Sequence, residues 1–326
     1  MAHVSLRAVL MGALGASALS ANIVHAQEPL QVVTSFSILD DMVSTIGGDH
    51  VSVTSLVGPD GDAHAFSPRP ADAQSLADAD LIVVNGLQLE GWIDRLIDAS
   101  GYEGEVVVAS NGIDTRSFEG HEDEGDHDDH DDHDDHDHAA DGEEEHHHHG
   151  DVDPHAWQDL ENGEQYARNI RDALVKADPA HADAYRANAE RYIDEMEALD
   201  KEAKARLSRI PAADRLIITS HDAFGYFADA YDLELLSPVG INTLAEPSAS
   251  DMGHLIQQIE SSHARALFLE NMTNPALINQ LHEETGIAIG GTLYADALTA
   301  EGEGSTYLGM FQHNVDTLLD ALEADD

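Results

Sequence analysis

The stretch QVVTSFSILDDMVSTIGGDHVSVTSLV, residues 31–57, reads as one strand, helix and strand in succession. Val32 and Val33 begin a short apolar run, Ile38 to Ile46 carries helical spacing, and Val51 to Val57 alternates as a half-buried strand does. Downstream the alternation continues. Leu81 to Val84 is a strand after the segment 71–80, and Glu105 to Ala109 is another after a helix through Trp92 to Ile97. Strands alternating with helices imply a parallel sheet covered on both faces, so this part of the chain is an α/β unit.

The same pattern restarts later. Leu216 to Thr219, Leu233 to Val239, Ala266 to Leu269 and Ile287 to Gly290 are strand candidates, separated by helices such as Asp251 to Ser262 and Asn274 to Thr285. Between the two α/β units, Glu161 to Lys176 reads as a helix ending at Asp178-Pro179, because the residue before a proline is pushed out of the helical region. A longer helix is predicted from Pro179 to about Ser208, with Tyr185, Tyr192, Met196, Leu199, Ala203 and Leu207 on one face. At ~1.5 Å per residue it would be roughly 45 Å long, more than one small domain needs. It is a candidate rigid connector, and two α/β lobes joined in this way leave a cleft where the carboxyl ends of strands bind ligands.

At the start of the chain, Arg7 precedes an apolar small-residue stretch from Ala8 to Ala21, and Val24-His25-Ala26 fits a signal-peptidase site. The stretch is shorter than the ~20 residues a spanning helix requires. The expected organisation is a signal peptide over 1–26 cleaved near Ala26/Gln27, a first lobe over 27–178, a connecting helix over 179–209 and a second lobe over 210–326. The mature chain is expected to be soluble and exported to the periplasm. Cysteine is absent, which excludes disulfides, thiolate metal ligands and an ordinary N-terminal lipoprotein anchor.

Formal net charge is -49. Residues 119–151 contain 17 of the 64 acidic residues and no lysine or arginine; the remainder, 47 acidic against 15 basic, still carries -32. Such a surface repels nucleic acid and anionic membranes and attracts cations. It also resembles the surfaces of proteins from saline habitats, which bears on environment and not on function. The 119–151 stretch has hardly an apolar side chain to bury and cannot fold by itself, so it is predicted to be a mobile insert in the first lobe. Its ten histidines, His121, His127, His130, His133, His136, His138, His146, His147, His148 and His149, are candidate weak, auxiliary metal ligands for capture, sensing or storage.

Three other histidines stand apart, each expected to follow a strand: His64 in Gly58-Pro-Asp-Gly-Asp-Ala-His64, His155 in Asp153-Pro-His155-Ala-Trp157, and His221 in Thr219-Ser-His221-Asp222. Asp296, in Gly290-Gly-Thr-Leu-Tyr-Ala-Asp296, has the same relation to the last strand. Facing lobes would bring these four positions, two per lobe, into one cleft. Three imidazoles and a carboxylate suit four-coordinate zinc, whereas a manganese site is expected to carry more oxygen donors. Local spacing alone distinguishes none of these histidines from a surface histidine, since nothing here resembles the paired ligands of a zincin helix. Asp62 and Asp222 are expected to cap a helix or to hydrogen-bond a neighbouring histidine.

The stretches 58–64 with Pro68 to Asp72, 153–157, His221 to Phe227, Glu246-Pro-Ser248, and 291–296 through Tyr307-Leu-Gly-Met310 resemble, in order and across almost the whole mature chain, the metal-binding proteins of ABC importers, the ZnuA and TroA group, bacterial solute-binding protein family 9. The resemblance implies two four-stranded α/β lobes joined by a rigid helix, and His64, His155, His221 and Asp296 as ligands of a metal in the cleft. It implies a non-enzymatic protein, a monomer, that carries Zn2+ as cargo to a cognate ABC permease in the cytoplasmic membrane. Manganese-selective relatives commonly have Glu at the position of His221, so histidine is the zinc-type choice. The acidic His-rich insert likewise resembles zinc-specific members. Two departures stand out: Ala63 replaces the acidic residue that precedes the first histidine in some enterobacterial zinc members, and the second-lobe disulfide of some of them cannot form. The rival readings are manganese or iron cargo, a secreted zinc hydrolase, and a storage protein in which the insert is the main site.

Overall fold

The computed structural model describes residues 28–117, 152–240, 243, 247–262 and 264–323. The predicted signal peptide at 1–26 and the acidic insert at 119–151, with its ten candidate histidines, lie outside them. The chain builds two four-stranded parallel sheets. In chain order the elements are β1 Leu30–Phe36, α1 Ser37–Gly47, β2 Val51–Val57, α2 Pro70–Ala77, β3 Leu81–Val84, α3 Ile93–Ser100, β4 Glu105–Val108, α4 Leu160–Ala177, α5 Ala182–Leu207, β5 Leu216–Ile218, α6 Gly225–Tyr231, β6 Glu234–Leu236, α7 Ala249–Ser261, β7 Ala266–Glu270, α8 Ala276–Thr285, β8 Ala288–Leu293 and α9 Tyr307–Leu322.

The first sheet runs β2-β1-β3-β4 and the second β6-β5-β7-β8, so the lobes repeat one strand order. The opening β-α-β stretch pairs in register from Leu30 opposite Val51 to Phe36 opposite Val57. Central strand β3 is buried along its whole length, as an apolar run in a doubly covered parallel sheet requires. Edge strand β4 alternates instead and leaves Val106 and Val108 exposed. Helix starts follow local chemistry. Pro70 opens α2, whose Asp72 side chain accepts from Arg69 N at 2.6 Å, and the Asp159 side chain caps α4 through Glu161 N at 2.9 Å.

The connecting helix differs in detail from its sequence reading. Pro179–His181 forms a short 3-10 turn, and α5 proper begins at Ala182 because Asp178 Oδ2 accepts from His181 Nδ1 and the Tyr185 hydroxyl at this joint. Its 26 residues make it ~39 Å long. The buried face carries Tyr185, Ala189, Tyr192, Met196, Asp200, Ala203 and Leu207. Leu199, placed on that face by spacing, is only partly buried, and Asp200 takes the position by accepting from the Tyr231 hydroxyl at 3.0 Å. Helix α5 packs on α1 and α4 of the first lobe and on α6 and α9 of the second.

Three helices, α2, α6 and α9, were not named from periodicity: α2 is only eight residues long, α6 is mostly buried, and no strand follows α9 among the described residues. One apolar cluster crosses the seam between the lobes. Phe36 and Trp157 stand 5.0 Å apart by ring centroid, Phe227 and Phe311 5.3 Å, and the Tyr307 hydroxyl donates to Trp157 O at 2.5 Å. Among the described residues no helix is long and apolar enough to cross a membrane.

Candidate metal centre

His64, His155, His221 and Asp296 each offer one donor atom, and all four atoms lie within 4.8 Å of one another between the two sheets. His64 Nε2 is 3.2 Å from His155 Nε2 and 3.3 Å from Asp296 Oδ2; His221 Nε2 is 3.1 Å from Asp296 Oδ2; His155 Nε2 is 3.7 Å from Asp296 Oδ1. His155 and Asp296 are fully buried, His221 nearly so, and His64 alone keeps a partly open side chain.

Each position is set by local structure. His64 lies in the loop after β2, where Asp62 Oδ1 accepts from the N–H groups of His64 at 2.8 Å and Ala65 at 3.1 Å, and Ala63 O accepts from Trp92 Nε1 at 2.8 Å. Asp62 Oδ2 also accepts from the Thr243 hydroxyl across the gap at 2.7 Å. His221 follows β5 and Asp296 follows β8, as expected from sequence. Ala295 O is pinned by Trp157 Nε1 at 3.0 Å and Gln158 Nε2 at 2.7 Å, so first-lobe side chains place the second-lobe carboxylate.

His155 corrects the sequence reading. It does not follow a strand: Val152 makes only an isolated antiparallel bridge with Ser117, and His155 directly precedes the 3-10 turn Ala156–Gln158 that leads into α4. Its position comes from Asp153, whose Oδ1 accepts from His155 N at 3.0 Å and pairs with His155 Nδ1 at 2.8 Å.

Glu270, at the end of β7, does the same for His221. Its Oε2 holds His221 Nδ1 in a short hydrogen bond, and its Oε1 accepts from the N–H groups of Ser220 and His221. Because a carboxylate accepts only, these contacts place a proton on Nδ1 of both rings and turn the Nε2 atoms toward the common centre. Among the described residues His64 Nδ1 has no such carboxylate.

Burial alone would depress the pKa of His221, but Glu270 and Asp296 together outweigh it and hold the imidazole well above its usual range. Burial likewise opposes ionisation of Asp296, yet the charges of His155 and His221 and hydrogen bonds from His221 and His64 hold it well below the usual carboxylate range. Asp296 Oδ1 is buried without a hydrogen-bond partner.

Sequence reasoning quoted Asp153 in its motif without giving it a role, and passed over Glu270 altogether. The available signal was a charged residue closing the otherwise apolar strand ALFLE. Asp62 caps no helix; it hydrogen-bonds the neighbouring His64, through the backbone N–H and not the ring. Asp222 departs from expectation: its Oδ1 is buried without a hydrogen-bond partner, and burial, with Asp153 nearby, raises its pKa.

The chain is similar over nearly its whole length to known metal carriers. It is 33% identical over 296 residues to the manganese-binding lipoprotein MntA of Halalkalibacterium halodurans, covering 90% of this chain and 89% of that protein. It is 32% identical over 289 residues to the iron-binding protein YfeA of Yersinia pestis, covering 88% and 85%. Among solved structures, the periplasmic zinc-binding protein TroA of Treponema pallidum superposes with a TM-score of 0.78 at 28% identity, covering 91% of this chain and 99% of that one. The Mn-bound periplasmic metal-binding protein of Candidatus Liberibacter asiaticus matches with a TM-score of 0.73 at 27% identity, covering 90% and 99%. The family model described as ZnuA, zinc-uptake complex component A, periplasmic, matches residues 32–321, and the chain belongs to that family.

Proposed function

We propose that this protein captures a divalent metal ion, zinc, outside the cytoplasmic membrane through His64, His155, His221 and Asp296, and delivers it as a monomer to the permease of an ABC importer. The observation that carries the reading is the convergence of three imidazole nitrogens and one carboxylate on a common point from both lobes. A tetrahedral zinc site with bonds of ~2.0–2.1 Å has donor–donor edges of about 3.3–3.4 Å; four of the donor contacts here lie at 3.1–3.7 Å, and all four donors lie within 4.8 Å of one another. Carboxylates behind His155 and His221 are the usual partners of metal-bound imidazoles. Four protein donors leave no position for an activated water, which favours carriage over hydrolysis.

Binding on this reading displaces protons from the imidazoles, joins donors of both lobes and thereby ties the lobes together. Release requires only that one donor withdraw, and His64 is the candidate, being the most exposed ligand and, among the described residues, lacking a carboxylate behind its ring. The insert at 119–151 serves as an auxiliary collector of cations. The exported location agrees with relatives named as lipoproteins or periplasmic proteins, although this sequence has no cysteine to carry a thioether lipid.

A second reading, manganese or iron as cargo, is favoured by the names of the relatives MntA and YfeA. Metal analysis with competitive zinc and manganese titration of protein lacking residues 119–151 separates the two. One tight zinc with no comparable manganese supports the first reading; equal or tighter manganese binding overturns it.

A further inference from the structure

The support of His155 extends beyond Asp153. The two oxygens of this buried carboxylate face different partners: Oδ1 holds His155, and Oδ2 accepts from Arg116 Nη1 at 3.2 Å. Arg116 belongs to the first lobe, and its carbonyl accepts from Asp153 N at 3.0 Å. Its side chain, however, lies against the second lobe. Nε donates to Asp229 Oδ2 of α6 at 2.8 Å, the Arg116 N–H donates to the Tyr226 hydroxyl at 2.9 Å, and that hydroxyl donates to Asp153 O at 3.1 Å.

Gly225 opens α6, and a β-carbon there would overlap Arg116 Nη1 and stand 2.7 Å from Asp153 Oδ2. Without a β-carbon at Gly225 the ion pair lies flush on the helix start; with one, the guanidinium would have to shift. Helix α6 begins four residues after His221, so the surface gripping Arg116 is continuous in sequence with a candidate ligand of the second lobe.

A planar guanidinium bonded to one carboxylate from each lobe couples their positions through directional hydrogen bonds. With α6 docked, Asp153 is held from behind and the His155 ring is fixed. With α6 withdrawn, Arg116 loses Asp229 and Tyr226, and the buried Asp153 loses the fixed cation that compensates it. We propose, on the reading that His155 ligates metal, that Arg116 is a positioning residue which transmits the docking of α6 through Asp153 to His155. Retention of the metal then depends on a contact on the far side of the lobe seam.

The test uses the full chain with Zn2+ and Co2+ as probes, measuring zinc affinity, chelator-driven zinc release and the visible spectrum of the Co2+ form. Arg116→Ala is expected to weaken zinc binding about 10- to 100-fold, the range for loss of a group supporting a ligand, and to change the Co2+ spectrum; Arg116→Lys, which keeps the charge, recovers part of both. Asp229 is 67% exposed, so Asp229→Ala is expected to leave thermal unfolding of the metal-free protein unchanged while speeding zinc release about tenfold.

Wild-type release rates and Co2+ spectra in both alanine variants would overturn the proposal, as would weaker binding in Arg116→Ala with an unaltered Co2+ spectrum. If Arg116→Ala does not fold, release from Asp229→Ala decides. Failure of the unmutated protein to bind either ion tightly overturns the metal-site reading itself, whereas tight wild-type binding with unaffected variants removes only the role of Arg116.

Discussion

Glutamine at position 270 separates the orientation of His221 from its mere presence. Oε1 of Glu270 accepts from the N–H groups of Ser220 at 2.8 Å and His221 at 3.1 Å, while Oε2 takes the Nδ1 proton of His221. An amide has one oxygen and one NH2 group and cannot do both. With its oxygen toward the backbone, the NH2 group donates to His221 Nδ1, forces the proton onto Nε2 and removes the lone pair needed for a metal. Turned round, it serves Nδ1 but confronts two backbone donors with a third.

Glu270 and His221 are both buried, so neither arrangement is relieved by solvent. A buried donor left without an acceptor costs ~1–3 kcal/mol, and ~1.4 kcal/mol corresponds to a tenfold change in affinity. Glu270→Gln should therefore weaken zinc binding by roughly 5- to 100-fold while preserving the fold. Competition titration against a chromophoric chelator at neutral pH measures the loss, and circular dichroism checks the fold. Wild-type affinity in a folded Glu270→Gln protein would refute the tautomer argument.

Three further outcomes follow from the same structure. His64→Ala and His221→Ala should each abolish the tight site, whereas deletion of residues 119–151 should leave it intact; the stoichiometry and affinity of bound zinc distinguish these results. Zinc affinity should fall as pH drops, starting above the ordinary imidazole range and continuing through it, because His221, raised by Glu270 and Asp296, holds a proton that the metal must displace. Calorimetry in buffers of differing ionisation heat counts the protons released, and pH-independent affinity would contradict histidine ligation. Asp41 is pushed up from 3.8 to about 6, first by burial, with partial relief from hydrogen bonds donated by Tyr307 N and the Tyr192 hydroxyl. The folded state thus binds this proton more tightly than the unfolded state, so stability falls as pH rises from about 4 to about 6 and the penalty is complete above that. Asp41→Asn should be more stable than the wild type at neutral pH, by at most about 3 kcal/mol, with the gain vanishing near pH 4 in urea melts.

The fold was largely legible because its signals are local. Alternation in 51–57, the apolar run 81–84, Pro179 and the repeated strand–helix rhythm each report on neighbours a few residues away, where backbone sterics and burial act directly. Helix α6 escaped notice because its seven residues, mostly buried, span too few turns to reveal a period. Leu199 was misplaced because a spacing rule cannot see that Tyr231, from another element, supplies Asp200 with a buried partner.

The identities of His64, His155, His221 and Asp296 as candidates came from sequence, through motifs in family order, together with the absence of cysteine that leaves imidazole and carboxylate as the donors. Their convergence was decided by tertiary structure. Donors separated by as many as 232 positions meet only when two sheets face each other along α5. The carboxylates behind them belong to the same category: Glu270 reaches His221 across 49 positions, and Arg116 reaches Asp229 across 113. Hydrogen bonding depends on distances of about 3 Å in space, and chain order does not encode these until the fold is closed. Sequence therefore determined which chemistry the chain can offer, and tertiary structure decided which ring nitrogen of His155 and of His221 faces the common centre and what holds it there.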